Sequence, residues 1–321
     1  MENLVAENSA AALDLLLEKV YRNGGYDFRE YKRGTLTRRL EKRLRTSGAT
    51  TYLDYLRFLD AHPEEYQRLA EDLTIKTSGF FRNPYTFQQL AGLVLPELLA
   101  SKRERGERRL RLWSTACARG EEPYSIAILL AEFLGHRLPD FDISIYATDI
   151  SRQALHEAQA GVYSDKDVEG LPPPLRESYF TRCRQSYRVQ NYIRSMLHFS
   201  YFDLTSNAGP PFTDIDGIFC RNVLIYLCKN LQERVLNMLY RSLATPGYLV
   251  LGEVETPTEN GRERLNCLDS RAKIYGKSAD VGGAGVKACN SILLSILSKK
   301  ARPESPCLLR GEQWRVSDEP A

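Results

Sequence analysis

The chain has 321 residues, enough for two domains of ordinary size and a substantial core. Hydrophobic residues make up 43% and charged residues 26%, the balance of a globular protein rather than a disordered or membrane-spanning one. Net charge is only +3, which excludes a polycation; attraction to an acidic partner has to come from local clustering.

Residues 10–75 read as helical. Leucines recur at helical spacing over 10–20, and Gly24-Gly25 then punctuates the chain. A second helix is expected from near Thr35, carrying Leu36, Leu40 and Leu44 at i, i+4 and i+8 and stopping at Gly48. Tyr52, Tyr55, Leu56 and Leu59 line a third helix, and Tyr66, Leu69 and Leu73 a fourth. No period-two pattern interrupts them, so residues 1–80 are expected to form a small all-α domain.

From about Arg109 the character changes. Apolar runs at 110–114, 143–148, 216–220 and 247–251 alternate with helical patterns at 123–135, 151–160 and 229–244. Alternating β and α units predict an α/β domain, here placed at 81–278, with a parallel sheet covered by helices on both faces. Between Gly161 and Tyr201 the rhythm breaks. "SYRVQNYIRSMLHFS" alternates at period two, which predicts a small antiparallel insertion at about 162–200. "SADVGGAGVKACN" then has the composition of a linker, and residues 279–321 are expected as a flexible tail with one short apolar helix at 292–297. The cysteines (Cys117, Cys183, Cys220, Cys228, Cys267, Cys289 and Cys307) and the four histidines show no ligand spacing, so no metal is expected. The N-terminus carries Glu2 and Glu7 and no long apolar core, and no apolar run reaches the roughly 20 residues of a membrane span. A cytoplasmic location in a reducing compartment is the expectation.

"RLWSTACARGEEPYS", residues 111–125, reads as a strand, a loop and a helix start. Such a loop usually cradles a phosphate with glycines in the pattern G-x-G-x-x-G. Only Gly120 fits that pattern, and Glu121 and Glu122 follow it. Two carboxylates beside a pyrophosphate would repel it by roughly several kcal/mol in a partly desolvated site. A cationic ligand without phosphate is favoured instead. S-adenosylmethionine has an adenosine, an ammonium and a sulfonium, and no phosphate. "ISIYATDI" supports it, ending in Asp149, an acid placed to take both ribose hydroxyls. The two features together point to a class I methyltransferase sheet. The blander readings are a solvated helix start for the glutamate pair and a helix N-cap for Asp149.

"WSTACARGEEPYSIA", "ATDIS" followed by "AGVY", "FCRNVLIYL" and "TSGFFRNPYTF" resemble the chemotaxis receptor methyltransferases, the CheR family of S-adenosylmethionine-dependent protein-glutamate O-methyltransferases. The resemblance runs from about residue 10 to 277, in the family's order and spacing. It implies a class I (Rossmann-like) methyltransferase domain with a small antiparallel β-subdomain, preceded by an all-α domain that docks the receptor. Methyl transfer to a carboxylate needs little acid–base work; the enzyme has to align the reactants and strip water from the acceptor.

Carried over by motif, Ser78 and Arg82 in "TSGFFRN" are expected to border the cofactor and the acceptor, with Arg82 orienting a carboxylate through its planar fork. Glu122 is expected at the cofactor's polar end, Asp149 at its ribose, and Asp203-Leu204 in "SYFDLT" beside the adenine. Arg221-Asn222 are expected to floor the pocket, and Tyr226 to donate a hydrogen bond to the acceptor carboxylate. Lys76 belongs to the cofactor-binding set by position, although the family often has Asn there and a cation near a sulfonium is unhelpful. Ala118-Arg119-Gly120 stand where the family commonly has Ser-Thr-Gly, which removes hydroxyl contacts and leaves backbone ones. "LGEVE" at 251–255 replaces a more usual glycine–x–serine–glutamate run.

Lys32, Arg33, Arg38, Arg39, Lys42, Arg43 and Arg45 face a single acid, Glu41. With Leu36, Leu40 and Leu44 turned inward, they form a cationic face. Such a face is a solvated surface, a nucleic-acid contact or a dock for an acidic protein helix. The resemblance selects the last, placing Arg38, Arg39, Lys42 and Arg43 against the acidic helical region of chemoreceptors. A monomer with no nucleic-acid partner and no membrane insertion is expected. The segment between Phe180 and Val189 is short, as in members that need no tethering peptide on the receptor. Two rival readings exist. A nucleic-acid methyltransferase would show Asn or Asp directly before Pro-Pro-Phe, whereas "NAGPPF" displaces Asn207 by two residues. A non-catalytic cofactor-binding scaffold or sensor would explain Lys76 but not the presence of Arg82, Asp149, Asn222 and Tyr226.

Overall fold

The computed structural model describes residues 10–74, 77–206, 208–258 and 264–277. Lys76, Asn207, the linker and tail, and the expected helix at 292–297 lie outside the described residues.

The N-terminal helices follow their apolar stripes. Helix α1 (Ala10–Lys19) buries Ala12, Leu13, Leu16 and Leu17, then widens into a π-turn (Val20–Gly24) closed by Gly25 in the left-handed region. Helix α2 (Arg33–Ser47) buries only Leu36, Leu40 and Leu44, and Gly48 at φ 76° ends it as a left-handed cap. Helix α3 (Tyr52–Ala61) is capped by Thr51, whose side chain accepts from the Asp54 amide; helix α4 (Glu65–Leu73) buries Tyr66, Leu69 and Leu73. These stripes meet Phe28 in one apolar cluster.

A helical segment that the sequence reading left unassigned comes next: α5 (Pro84–Gln89), a π-turn (Leu90–Val94) and α6 (Leu95–Glu104). It packs Phe87, Leu90, Val94 and Leu98 into the cluster that covers one sheet face. The strands are β1 (Arg109–Thr115), β2 (Asp142–Asp149), β6 (Leu197–Tyr201), β7 (Ile215–Cys220), β8 (Leu243–Leu251), β9 (Asn266–Asp269) and β10 (Ile274–Lys277), in the spatial order β6-β2-β1-β7-β8-β10-β9. The first five positions pair in parallel; β10 pairs antiparallel with β8, and β9 antiparallel with β10. Helices α7 (Glu121–Leu134), α8 (Arg152–Ala160) and α12 (Lys229–Ser242) form the crossovers. Strand β7 is buried at all six residues, as a central parallel strand must be. Trp113, fully buried in β1, satisfies its indole by donating to Thr148 Oγ1 of β2 at 2.9 Å.

The stretch read as one antiparallel insertion divides in two. Strands β3 (Val162–Ser164), β4 (Phe180–Cys183) and β5 (Ser186–Val189) form a separate antiparallel sheet ordered β3-β5-β4, with the short helices α9 (Asp165–Val168) and α10 (Pro173–Tyr179) between β3 and β4. After α11 (Asn191–Arg194) the chain rejoins the main sheet, and β6 pairs in parallel with β2 from Leu197 to Tyr201. The alternation over 197–201 is therefore that of a half-exposed parallel edge strand, and period two alone does not distinguish the two cases. The two ends of the subdomain are tied: the Val189 amide donates to Gly161 O at 2.9 Å, and Arg194 Nη2 to Gln159 O at 2.9 Å.

Helical and sheet domains share backbone bonds. Tyr31 forms an antiparallel bridge with Leu227; the Lys32 amide donates to Tyr226 O at 2.8 Å and the Cys228 amide to Glu30 O at 2.9 Å. Arg234 pairs with Glu30 at 2.5 Å, and Ser151 Oγ donates to Glu71 Oε2 at 2.6 Å. Among the described residues no helix is long and apolar enough to cross a membrane.

Candidate active site

Strand order reverses at β1: the chain builds outward to β2 and β6, then returns to place β7 on the other side. Ligands of open α/β sheets collect above the carboxyl ends at such a switch point. Here a cleft of about 1080 Å³, its mouth included, is walled by those ends: Ala116–Ala118 after β1, Asp149 and Ile150 after β2, Phe202–Leu204 after β6 and Arg221–Val223 after β7. Helix α7 contributes Glu122; the opposite wall is Tyr31, Thr35, Leu73 and Thr74 of the helical domain together with the 77–82 segment. Backbone strain concentrates here. Phe81, Asn83, Ala116, Ala118 and Asn222 all have φ between 49° and 61°, where asparagine is tolerated and alanine and phenylalanine rarely go.

Asp149 holds the β1 loop against β2. Its Oδ2 accepts from the Ala118 amide and its Oδ1 from the Ser151 amide, both at 2.8 Å. It is not the helix N-cap; Ser151 is, accepting from the Ala154 amide at 3.0 Å. Asp149 lines the cleft.

The two loop glutamates are each matched by an arginine. Glu122 Oε1 accepts from Ser114 Oγ at 2.7 Å and Oε2 from Arg221 Nη1 at 3.2 Å. Burial raises the Glu122 pKa, opposed by Arg221 and the Ser114 hydroxyl. Arg221 is buried, and its Nη2 reaches across to Arg82 O at 2.8 Å and Asn83 Oδ1 at 2.9 Å. Against the blander reading of a solvated helix start, Glu121 is 2% exposed, pairs with Arg119 at 3.2 Å, and burial raises its pKa. Arg119 also pairs with Asp167 of α9 at 2.7 Å, and Tyr163 donates to Arg119 O at 2.7 Å, so the β-subdomain braces this loop. Gly120, at φ 90°, lies so close to Ala158 that an added Cβ would stand 2.9 Å from its methyl.

Asp203 Oδ1 accepts from the Thr205 amide and hydroxyl at 2.8 and 2.7 Å, and burial raises its pKa. Leu204 and Asn222 line the same cleft. Arg82 is exposed at the mouth, with Nη1 on Thr77 O at 2.9 Å; Ser78, Tyr226 and Arg82 all line the cleft.

Two residues outside the sequence expectations organise the site. Glu255 is 3% exposed and accepts from three amides: Asn222 at 2.9 Å, Gly252 at 2.7 Å and Ile225 at 3.2 Å. It thereby fixes the turn that presents Asn222 and Tyr226. Its only sequence signal was the final glutamate of "LGEVE". Ser125 of α7 accepts from the Phe81 amide at 2.8 Å and anchors the strained segment that carries Ser78 and Arg82.

The cationic face of α2 is narrower than its sequence suggests. Arg43 is turned inward, where it pairs with the buried Glu65 and with Asp72 at 3.2 Å. Arg39 Nη1 donates to Asp72 O at 2.7 Å and Thr74 O at 3.0 Å. Lys42 reaches Asp72 at 3.4 Å but stays exposed, as do Arg38 and Arg45. Glu65 and Asp72 of α4 recruit the inner arginines as structural ties.

The cleft suits a phosphate-free cation carrying a nucleoside. Its lining holds three carboxylates (Glu122, Asp149 and Asp203) against two guanidiniums (Arg82 and Arg221), and Arg221 Nε is buried without a partner among the described residues. Such a ligand is S-adenosylmethionine, whose sulfonium supplies an electrophilic methyl group when bound. Among the described residues no cluster of His, Cys, Asp or Glu could hold a metal ion.

Comparison with known proteins agrees with this chemistry. The family described as "CheR methyltransferase, SAM binding domain" matches residues 76–274, and "CheR methyltransferase, all-alpha domain" matches residues 11–74. A chemotaxis protein methyltransferase of Borreliella burgdorferi is 31% identical over 76% of this chain and 87% of its own length. Chemotaxis protein methyltransferase 2 of Pseudomonas aeruginosa is 35% identical over 74% of this chain and 84% of its own length. The Escherichia coli chemotaxis protein methyltransferase is 31% identical over 74% and 81%.

Proposed function

The chain belongs to the CheR methyltransferase family, and from that premise we propose that it transfers the methyl group of S-adenosylmethionine to glutamate side chains of chemoreceptors, giving methyl esters. The observation that carries the reading is the acidic cleft above the β1–β7 switch point, with an exposed arginine at its mouth.

In this reading Glu122, Asp149, Asp203, Leu204, Arg221 and Asn222 hold the cofactor, with Ser78 at the rim. Arg221 moderates Glu122, so the cleft keeps a single excess negative charge rather than an uncompensated cluster. Arg82 presents its planar fork to the incoming carboxylate, and Tyr226 donates a hydrogen bond to it from the turn fixed by Glu255. Both hold the acceptor in line without taking its proton, because a glutamate carboxylate is already ionised near neutral pH. The helical domain docks the acidic helical region of the receptor through Arg38, Lys42 and Arg45 of α2, and the enzyme acts as a monomer. Lys76, in the cofactor-binding set by sequence position, lies outside the described residues.

Incubating the protein with methyl-labelled S-adenosylmethionine and receptor-containing membranes tests the reading. Base-labile label on the receptor is expected, lost in Asp149→Ala. Label on nucleic acid, or cofactor binding with no receptor label, would refute it.

A further inference from the structure

Tyr31 precedes the basic helix, in the domain assigned to receptor docking, yet it stands in the wall of the cofactor cleft. It packs at once against the core of the helical domain and against the apolar cluster beneath β7 and α12. On the first side its ring meets Phe28 edge-on, with centroids 5.1 Å apart. On the second its backbone is bridged to Leu227, one residue from Tyr226. Burial pushes the ionisation of its phenol up, and Asp203, Asp149 and Asp27 add to that shift. The ring is thus clamped from both domains, in the wall of a cleft that Asp149 and Asp203 also line.

We infer that Tyr31 is a cofactor-positioning residue: its aromatic ring closes the adenosine side of the cleft from the helical domain, so cofactor binding and the packing of the two domains are linked. The inference rests on the proposed cofactor site. An aromatic face is a sequence-tolerant partner for a purine, and Phe202 and Leu204, which also line the cleft, pack with Tyr31 against one apolar cluster. A ligand held between two domains adds its binding energy to their association. Without it, the domains are held by the Tyr31–Leu227 bridge, the Glu30–Arg234 and Glu71–Ser151 contacts and the apolar packing around Tyr31.

The experiment uses the full chain and S-adenosylhomocysteine as probe, in titration calorimetry and in thermal melts with and without ligand. Tyr31→Leu keeps an apolar side chain in the joint, and Tyr31→Phe keeps the ring. Tyr31→Leu is expected to bind about tenfold more weakly and to lose most of the ligand-induced rise in melting temperature, whereas Tyr31→Phe stays within about threefold of wild type. Asp149→Ala serves as the control for the site itself. Wild-type affinity and a full ligand-induced shift in Tyr31→Leu, with binding lost in Asp149→Ala, overturn the inference. Binding retained in Asp149→Ala overturns the cofactor assignment on which it rests. A Tyr31→Leu protein whose unliganded melting temperature falls while affinity stays at the wild-type value shows a purely structural joint and also overturns it.

Discussion

Arg221 and Glu122 meet 3.2 Å apart at the base of the cleft, one from the end of β7 and the other from the first turn of α7. The side chain of Arg221 is 2% exposed, so the pair sits where breaking it is costly. Arg221→Gln leaves the partly buried Glu122 unmatched and frees Arg82 O and Asn83. Urea denaturation is expected to show a loss of about 3 kcal/mol. Glu122→Gln keeps the hydrogen bond to Ser114 within reach but leaves the more buried Arg221 guanidinium without its carboxylate, so a comparable loss is expected, and it removes the negative charge that favours a cationic ligand. S-adenosylmethionine affinity should fall about tenfold, roughly 1.4 kcal/mol, in calorimetry.

The pH dependence of binding follows from burial. Glu122 and Asp203 are both raised by desolvation, so they take up protons at higher pH than ordinary carboxylates. Affinity for the cationic cofactor should weaken as pH falls through that raised range, and binding should release protons. The folding sign is opposite: a carboxyl raised in the folded state binds its proton more tightly there than in the unfolded chain, so its contribution to folding becomes more favourable as pH falls. Calorimetry in buffers of different ionisation heat measures the released protons, and Glu122→Gln should reduce them.

Removing the carboxylate of Glu255 strands the amides of Asn222, Gly252 and Ile225. Asn222 then loses what holds it at φ 59°. Glu255→Ala is expected to lower kcat for receptor methylation at least tenfold. Retained activity in a folded Glu255→Ala protein would mean that the turn holds itself.

Gly120→Ala introduces a methyl 2.9 Å from Ala158 Cβ at φ 90°, which an L-residue adopts only under strain. The β1 loop must shift, carrying the Ala118 amide away from Asp149. Loss of cofactor binding with a cooperative but lowered melting transition is expected.

The α2 arginines should separate by role. Arg43→Ala breaks the ties to Glu65 and Asp72 and destabilises the helical domain, whereas Arg38→Glu and Arg45→Glu leave stability near wild type and slow receptor methylation, most at low ionic strength. Equal kinetic effects of all three substitutions would count against this division.

Much of this architecture was legible because local pattern and tertiary environment agree. The stripe Leu36, Leu40, Leu44 faces a core and makes a helix; the run at 217–220 carries no charge on either side and becomes part of a central strand. Where they part, reading fails. Residues 197–201 alternate like a hairpin but pair in parallel, because alternation reports one exposed face and not strand direction. Arg43 reads as surface charge and is an internal tie, since its partners Glu65 and Asp72 are more than twenty residues away. Asp149, Glu122 and Arg221 could be placed from their strand-end motifs. Glu255 and Tyr31 could not, because their importance lies in distant backbone amides and in a second domain.

The ends of the β-subdomain are laced together by Gly161, Val189, Gln159 and Arg194, so the module closes on itself and hangs from the crossover between β2 and β6 as an exchangeable part. Its length and outer face can change among relatives without re-registering the main sheet. That freedom is limited by the side chains that reach back: Tyr163 and Asp167 to Arg119, Tyr179 to Glu132 of α7, and Phe180 against Phe80. A transplanted subdomain that keeps those side chains brings new recognition to an unchanged reaction centre; one that lacks Tyr163 and Asp167 loosens the loop beside Glu121 and Glu122.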